Sequence, residues 1–246
     1  MSYQNVSVDL HIHSALSPCA DESMTPGNIV GMAKLNGLSA IAVTDHNASQ
    51  NSEAAVILGK RFGITVIPGM ELETAEEIHV VCLFPDLERL ACFQERVTAS
   101  YNGAIPPNRA EIFGRQFLYN AEDEICGELA HMLLAPTGIT IDDSFEIAAS
   151  LGGIAYPAHV DRDSYSVLTN LGALPYGYAN PFVEISSGCD RDILLQNYPL
   201  LENYKLLPSS DAHYLDKIQE DGRALLAVEE TTAGGILDAL KEGRIL

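Results

Sequence analysis

The chain is poor in positive charge: 14 Lys and Arg stand against 34 Asp and Glu, a formal net charge of −20. A field of that sign repels a long polyanion, so long duplex nucleic acid is not expected as a partner. Also missing is any run of 18 or more apolar residues, and the start, MSYQNVSVDL, has no basic region followed by an apolar one. Membrane spanning and secretion are therefore not expected, and a cytoplasmic setting is. Cysteine is sparse and unpatterned: Cys19, Cys82, Cys92, Cys126 and Cys189 are odd in number with no CxxC spacing. That excludes a zinc ribbon and a disulfide framework and fits a reducing compartment. No internal repeat or low-complexity tract is visible.

What is present is an alternation of short apolar runs and helical patterns. With 246 residues and 47% apolar content, one sizeable core can be filled. Val6 to His13, VSVDLHIH, reads as a strand in which Ser7, Asp9, His11 and His13 share one face and Val6, Val8, Leu10 and Ile12 the other. The apolar face is expected to pack under helices and the polar face to open into a site at the strand's C-terminal end. Thr25-Pro26 opens a helix that Gly37 ends, and Glu53 to Phe62 is a second, ended by Gly63. Further strands are read at 39–44, 64–67, 78–84, 154–158, 182–186, 206–209 and 224–228, and further helices at 86–100, 142–151, 191–196 and 233–241. Seven or eight strands alternating with helices in this length give an α/β, TIM-like barrel as a single domain over 1–246. Residues 101–141 interrupt the alternation and read as an insertion or cap, with a helix-like patch around Leu129 to Ala135.

Six of the seven histidines, His11, His13, His46, His79, His159 and His213, fall at strand ends or just beyond, with Glu71 and Asp211 in equivalent places and Asp21 in the first loop. Imidazole and carboxylate together suit zinc, manganese or iron, and nine candidate ligands are too many for one tetrahedral ion. Two or three divalent metal ions bridged by a carboxylate such as Glu71 use them economically, in the manner of hydrolytic clusters that clamp the attacking and leaving oxygens of a phosphoryl displacement. Asp45, Asp9 and Glu184 are read as acceptors supporting ligands, and His131 as a packed or surface residue. Arg162, three residues after His159, is the expected phosphate-binding cation, with Arg109 and Arg115 able to fold over the mouth.

The stretches DLHIHS, AVTDHN, GMELET with EIHVV, YPAHVDR and SSDAHY, in this order from residue 9 to residue 214, resemble the PHP (polymerase and histidinol phosphatase) domain family of metal-dependent phosphoesterases. The resemblance implies a distorted (β/α)7 barrel with a trinuclear site. By it, His11, His13, Glu71 and Asp211 hold one metal, Glu71, His79 and His159 a second, and Asp21, His46 and His213 a third. The family usually places an acid directly after the loop serine, whereas here Pro18-Cys19-Ala20 follow Ser17. Either Asp21 reaches from a longer loop, or Cys19 or water takes its place.

The function expected is hydrolysis of a small phosphorylated substrate by a metal-activated hydroxide, with Asp211 or His213 protonating the leaving alkoxide. Two alternatives stand beside it: an exonuclease or nucleotidase acting on short oligonucleotides or nucleoside bisphosphates, and a non-catalytic metal-binding module. The ligand list does not exclude C–N bond hydrolysis.

Overall fold

A computed structural model describes residues 2–101, 103 and 105–246. The chain begins with β1 (Gln4–Ile12), α1 (Pro26–Leu35), β2 (Ala40–Val43), α2 (Ser52–Phe62), β3 (Thr65–Glu73) and β4 (His79–Leu83). It continues through α3 (Leu87–Ser100), α4 (Ala110–Phe113), β5 (Phe117–Tyr119), β6 (Ile125–Glu128), α5 (Ile141–Ser150) and β7 (Ile154–Pro157). The last part holds α6 (Val167–Leu171), β8 (Phe182–Ser186), α7 (Arg191–Asn197), β9 (Lys205–Ser209), β10 (Leu225–Val228) and α8 (Ala233–Lys241). Among the described residues no helix is long and apolar enough to cross a membrane.

The expected TIM-like α/β fold is the observed one, with a curled sheet in the order β10-β1-β2-β3-β4-β7 and a separate parallel pair β8-β9. Its strands are not all parallel: β4 runs antiparallel to both β3 and β7, and β10 antiparallel to β1. Inside the curl, Val6, Val8 and Leu10 pack with Ala40, Ala42, Ile67, Val81, Leu83 and Tyr156, and α8 closes this core with Ile236, Leu237 and Leu240. Each buried Val, Leu or Ile among them contributes about 1.5–3 kcal/mol.

The first strand departs from the simple alternation expected of it. Asp9 pairs with Ile41 and Ile12 with Val43, so three steps on β1 match two on β2, the signature of a bulge. Up to Leu10 the even residues face the interior core, whereas Ile12 packs with Ile29, Val30 and Val43 under α1 and α2. Asp9 accordingly points away from the histidines, accepting from Ser210 N at 3.1 Å and Gln219 N at 3.0 Å, and burial raises its pKa. Up to Leu10 the apolar face of β1 therefore lines the barrel, and only Ile12 packs under helices as expected. The bulge, which a period-two reading cannot see, is the reason the face switches.

A second departure concerns β3, which runs on to Glu73 through Pro68-Gly69, residues that read locally as a strand end. Antiparallel pairing with β4, from Gly69↔Leu83 to Glu73↔His79, holds this stretch extended. Gly69 is required there, because a Cβ would come within 2.8 Å of both Leu83 Cδ2 and Thr44 Cγ2. Gly69→Val is expected to destabilise the protein by about 1–3 kcal/mol, read as a lower denaturation midpoint.

Between α3 and α5, the helix expected around Leu129 to Ala135 is absent; α4 and the β5–β6 hairpin stand in this region. The Gln116 side chain donates to Leu129 O and His131 O and accepts from Leu133 N, which leaves that stretch no helical pairing. Leu133 is buried against Leu16 and Ala48, so tertiary contact overrides local pattern.

Candidate metal centre

The strand ends converge on Glu71. Its Oε1 lies 3.1 Å from His11 Nε2, 3.0 Å from His79 Nδ1 and 3.5 Å from His159 Nε2. Its Oε2 lies 3.2 Å from His13 Nε2 and 2.8 Å from His46 Nδ1. Five imidazoles thus surround one buried carboxylate, yet neither oxygen is hydrogen-bonded. Asp211 Oδ1 is in the same position, 3.0 Å from His13 Nε2 and 3.3 Å from His11 Nε2 and likewise without a hydrogen bond. Buried polar atoms left unpaired in this number are costly unless another group satisfies them.

Donor atoms collect into three groups within which all lie 4.8 Å or less apart: His11, His13, Glu71 and Asp211; His46, Glu71 and His79; and His13, His46 and His213. The first is the set the resemblance implied. In the second, His46 stands where His159 was expected, although the His159 ring stacks on that of His11 at 5.9 Å. In the third, His13 appears where Asp21 was expected. Asp21 is exposed, its carboxylate accepts from Ser23 N at 2.9 Å, and among the described residues it joins none of the groups. The extra loop residues are the cause, since Asp21 N is tied to His213 O while its side chain closes a local turn.

Cys19, in the same loop, joins none of the groups among the described residues either. Crowding by the protein would raise its thiol pKa, but hydrogen bonds with His213 and His46 bring it down to about 5. Burial would likewise push the Glu71 carboxyl up, whereas the charges of His79, His11 and His46 hold it well below the usual carboxylate range. His11 is the converse: burial disfavours its charge, and Glu71, Glu184 and Asp211 still raise its pKa well above the ordinary value. His79 has less compensation, and burial lowers it to about 4. These mutual shifts describe a site in which negative and positive charge must balance internally. Divalent cations would take over the protons of His11 and His46, since imidazole binds metal only when neutral. The donor set therefore fits metals of the zinc, manganese or iron class.

Supporting contacts hold the donors. Glu184 Oε1 lies 2.9 Å from His11 Nδ1 and accepts from His159 N at 3.0 Å. Asp45 does not join the donors but accepts from Ser14 N, Ser14 Oγ and Ser17 Oγ. Ser17 Oγ in turn lies 3.0 Å from His13 Nδ1, a contact with no signal in the sequence beyond a loop serine. Tyr165, whose ring stacks on His79 at 4.5 Å, was equally illegible. His159 and Asp211 hold positive φ, 30° and 48°, backbone strain of about 1–3 kcal/mol each that aims them inward.

At the rim, Arg162 pairs through Nη1 with Asp211 Oδ2 and through Nε with Ser186 Oγ. Arg109 and Arg115, read as able to fold over the mouth, have partners within residues 109–128. Arg115 binds Glu128 at 2.8 Å, and Arg109 lies over the Phe113 ring. His131 sits in an isolated bridge with Pro107, outside the donor groups.

Comparison with known proteins agrees with this picture. The phosphoribosyl 1,2-cyclic phosphate 1,2-diphosphodiesterase of Eggerthella lenta is 32% identical over 80 residues, 30% of this chain and 29% of that protein. The 5'-3' exoribonuclease of Haemophilus influenzae is 36% identical over 78 residues, 30% of this chain and 27% of that one. The matched stretches thus span less than a third of either relative. The lesion-specific endonuclease Q of Pyrococcus furiosus has the same fold, with TM-score 0.70 and 23% identity over 97% of this chain and 56% of that one. An endonuclease Q structure is described in complex with a 27-mer duplex, so the charge argument against long duplex nucleic acid does not extend to the fold as such. With the pattern of the PHP domain matching residues 9–171, a stretch carrying six of the eight clustered donors, the chain belongs to the PHP domain family.

Proposed function

We propose that this chain hydrolyses phosphoric esters at a centre of two or three divalent cations held by His11, His13, His46, Glu71, His79, His159, Asp211 and His213. The carrying observation is Glu71, whose two orphaned oxygens face five imidazoles and suit a bridging carboxylate. When bound, such cations supply Lewis acidity toward phosphoryl oxygens and acidify the attacking water.

The chain's own residues do the rest. Arg162, held by Ser186 and Asp211, presents a planar cation at the rim for a phosphate oxygen. Asp211 spans the distance between Arg162 at Oδ2 and the histidines at Oδ1, and His213, at the open edge, lies beside it. Because Asp211 is held ionised and His213 is counted among the ligands, the pair is assigned to orienting a water that protonates the departing alkoxide, not to giving up a proton itself. Glu184 fixes the His11 ring through Nδ1. Glu184→Gln is expected to weaken metal uptake ~10–100-fold, measured by competition with a chromophoric chelator.

A small phosphorylated substrate suits a chain of net charge −20, which concentrates its positive charge only at the centre. The names of the relatives, a phosphodiesterase and an exoribonuclease, favour phosphodiesters or short oligonucleotides as the second reading. The experiment is phosphate release from phosphomonoesters, cyclic phosphodiesters and short 5′-phosphorylated oligonucleotides with zinc, manganese or iron added, against a chelated control. The preferred ester distinguishes the two readings. No release from metal-loaded protein would leave the non-catalytic module.

A further inference from the structure

We infer that the substrate is a nucleotide whose base stacks on Tyr165, which makes this residue a specificity determinant at the mouth of the metal centre. The inference rests on the phosphoester reading above and adds the substrate class to it.

The Tyr165 ring lies flat against His79, with centroids 4.5 Å apart and planes 17° from parallel. His79 is one of the clustered donors, its Nδ1 3.0 Å from Glu71 Oε1, so the ring stands over the edge of the site. One face is taken by the imidazole, yet the residue is 44% exposed, which leaves its outer face open. An aromatic ring packed on one side only, beside a phosphate-binding centre, is a platform for a second flat ring.

The backbone holds this platform in place. Tyr165 has φ 53°, a conformation that a bulky side chain rarely adopts, and the bond from His79 N to Tyr165 O at 2.9 Å keeps it there. The same loop is pinned by Val160 N on Glu184 O, by Arg162 N on His159 O and by Ser166 Oγ on Val160 O. It therefore presents two fixed groups three residues apart: the Arg162 guanidinium, held by Asp211 and Ser186, for a phosphate oxygen, and the Tyr165 face for a base. A phosphate joined through a sugar to a flat heteroaromatic ring matches both. A quaternary ammonium, another ligand of aromatic faces, calls for a cage of several rings, and among the described residues Tyr165 has only the His79 ring beside it. The net charge of −20 disfavours long strands and leaves mononucleotides and short oligonucleotides.

The test has two parts. The chain has no tryptophan, so Tyr165→Trp installs a single fluorescent ring at this position. Its emission is expected to be quenched by the 5′-methylenephosphonate of adenosine, whose C–P bond is not hydrolysed, and not by the same compound lacking the base. In the metal-loaded chain, the ratio of kcat/KM for adenosine 5′-phosphate to that for ribose 5-phosphate, which differ only in the base, is expected to fall on the order of 10-fold in Tyr165→Asn, mainly through KM. Asparagine removes the ring while tolerating the positive φ, and Tyr165→Phe should keep the ratio. A 5′-phosphorylated dinucleotide and its counterpart lacking one base give the same comparison for a diester. A loss shared equally by both members of a pair would mean that Tyr165 only covers His79, and it overturns the inference, as does unmodified protein with no preference for the nucleotide or Trp emission indifferent to the base. No phosphate release from any ester, with quenching intact, would strike the hydrolytic reading and not the stack.

Discussion

Asp211→Asn is expected to lower phosphoester turnover on the order of 10³-fold or more while leaving the melting transition cooperative. The carboxylate faces His13 and His11 through Oδ1 and Arg162 through Oδ2, and although burial would raise its pKa, His11 and His13 hold it far below the usual range. Asparagine removes that charge but keeps size, an acceptor for Arg162 and tolerance of the φ of 48°. Alanine would confuse the result by adding backbone strain. Initial rates of phosphate release beside a thermal melt separate chemistry from folding, and unchanged rates in a metal-loaded variant would remove Asp211 from the centre.

Metal removal should have the second large effect, on stability as well as activity. Free cation at 1,000 times its dissociation constant adds about 4.1 kcal/mol per site. For a domain of this size that is roughly 8–16 °C in Tm for each site emptied. The physical origin is the cluster itself: Glu71 and Asp211 lose the charges that satisfy their orphaned oxygens, and His11 and His46 must take up protons instead. Chelation followed by reloading should lower and then restore both Tm and phosphate release. A Tm that responds with no activity in any state would establish a structural metal module, and a Tm indifferent to chelation would argue against a metal centre.

The sequence by itself determined most of the elements and the identity of the converging donors. Thr25-Pro26 and Gly63 bound their helices as local capping chemistry requires, because a cap is decided within a few residues. Histidines and carboxylates at successive strand ends were legible because a barrel brings those ends to one mouth. What only the tertiary structure decided is which donor serves which group. The β1 bulge turns His11 and His13 inward and Asp9 outward, β4 pairing carries Glu71 within a strand, and Gln116 unmakes an apparent helix at 129–135. The first loop ties the Asp21 backbone to His213 and turns its carboxylate to Ser23, away from the donors. Each of these rests on contacts between residues distant in sequence, whose energies exceed the local preferences that a periodicity reports.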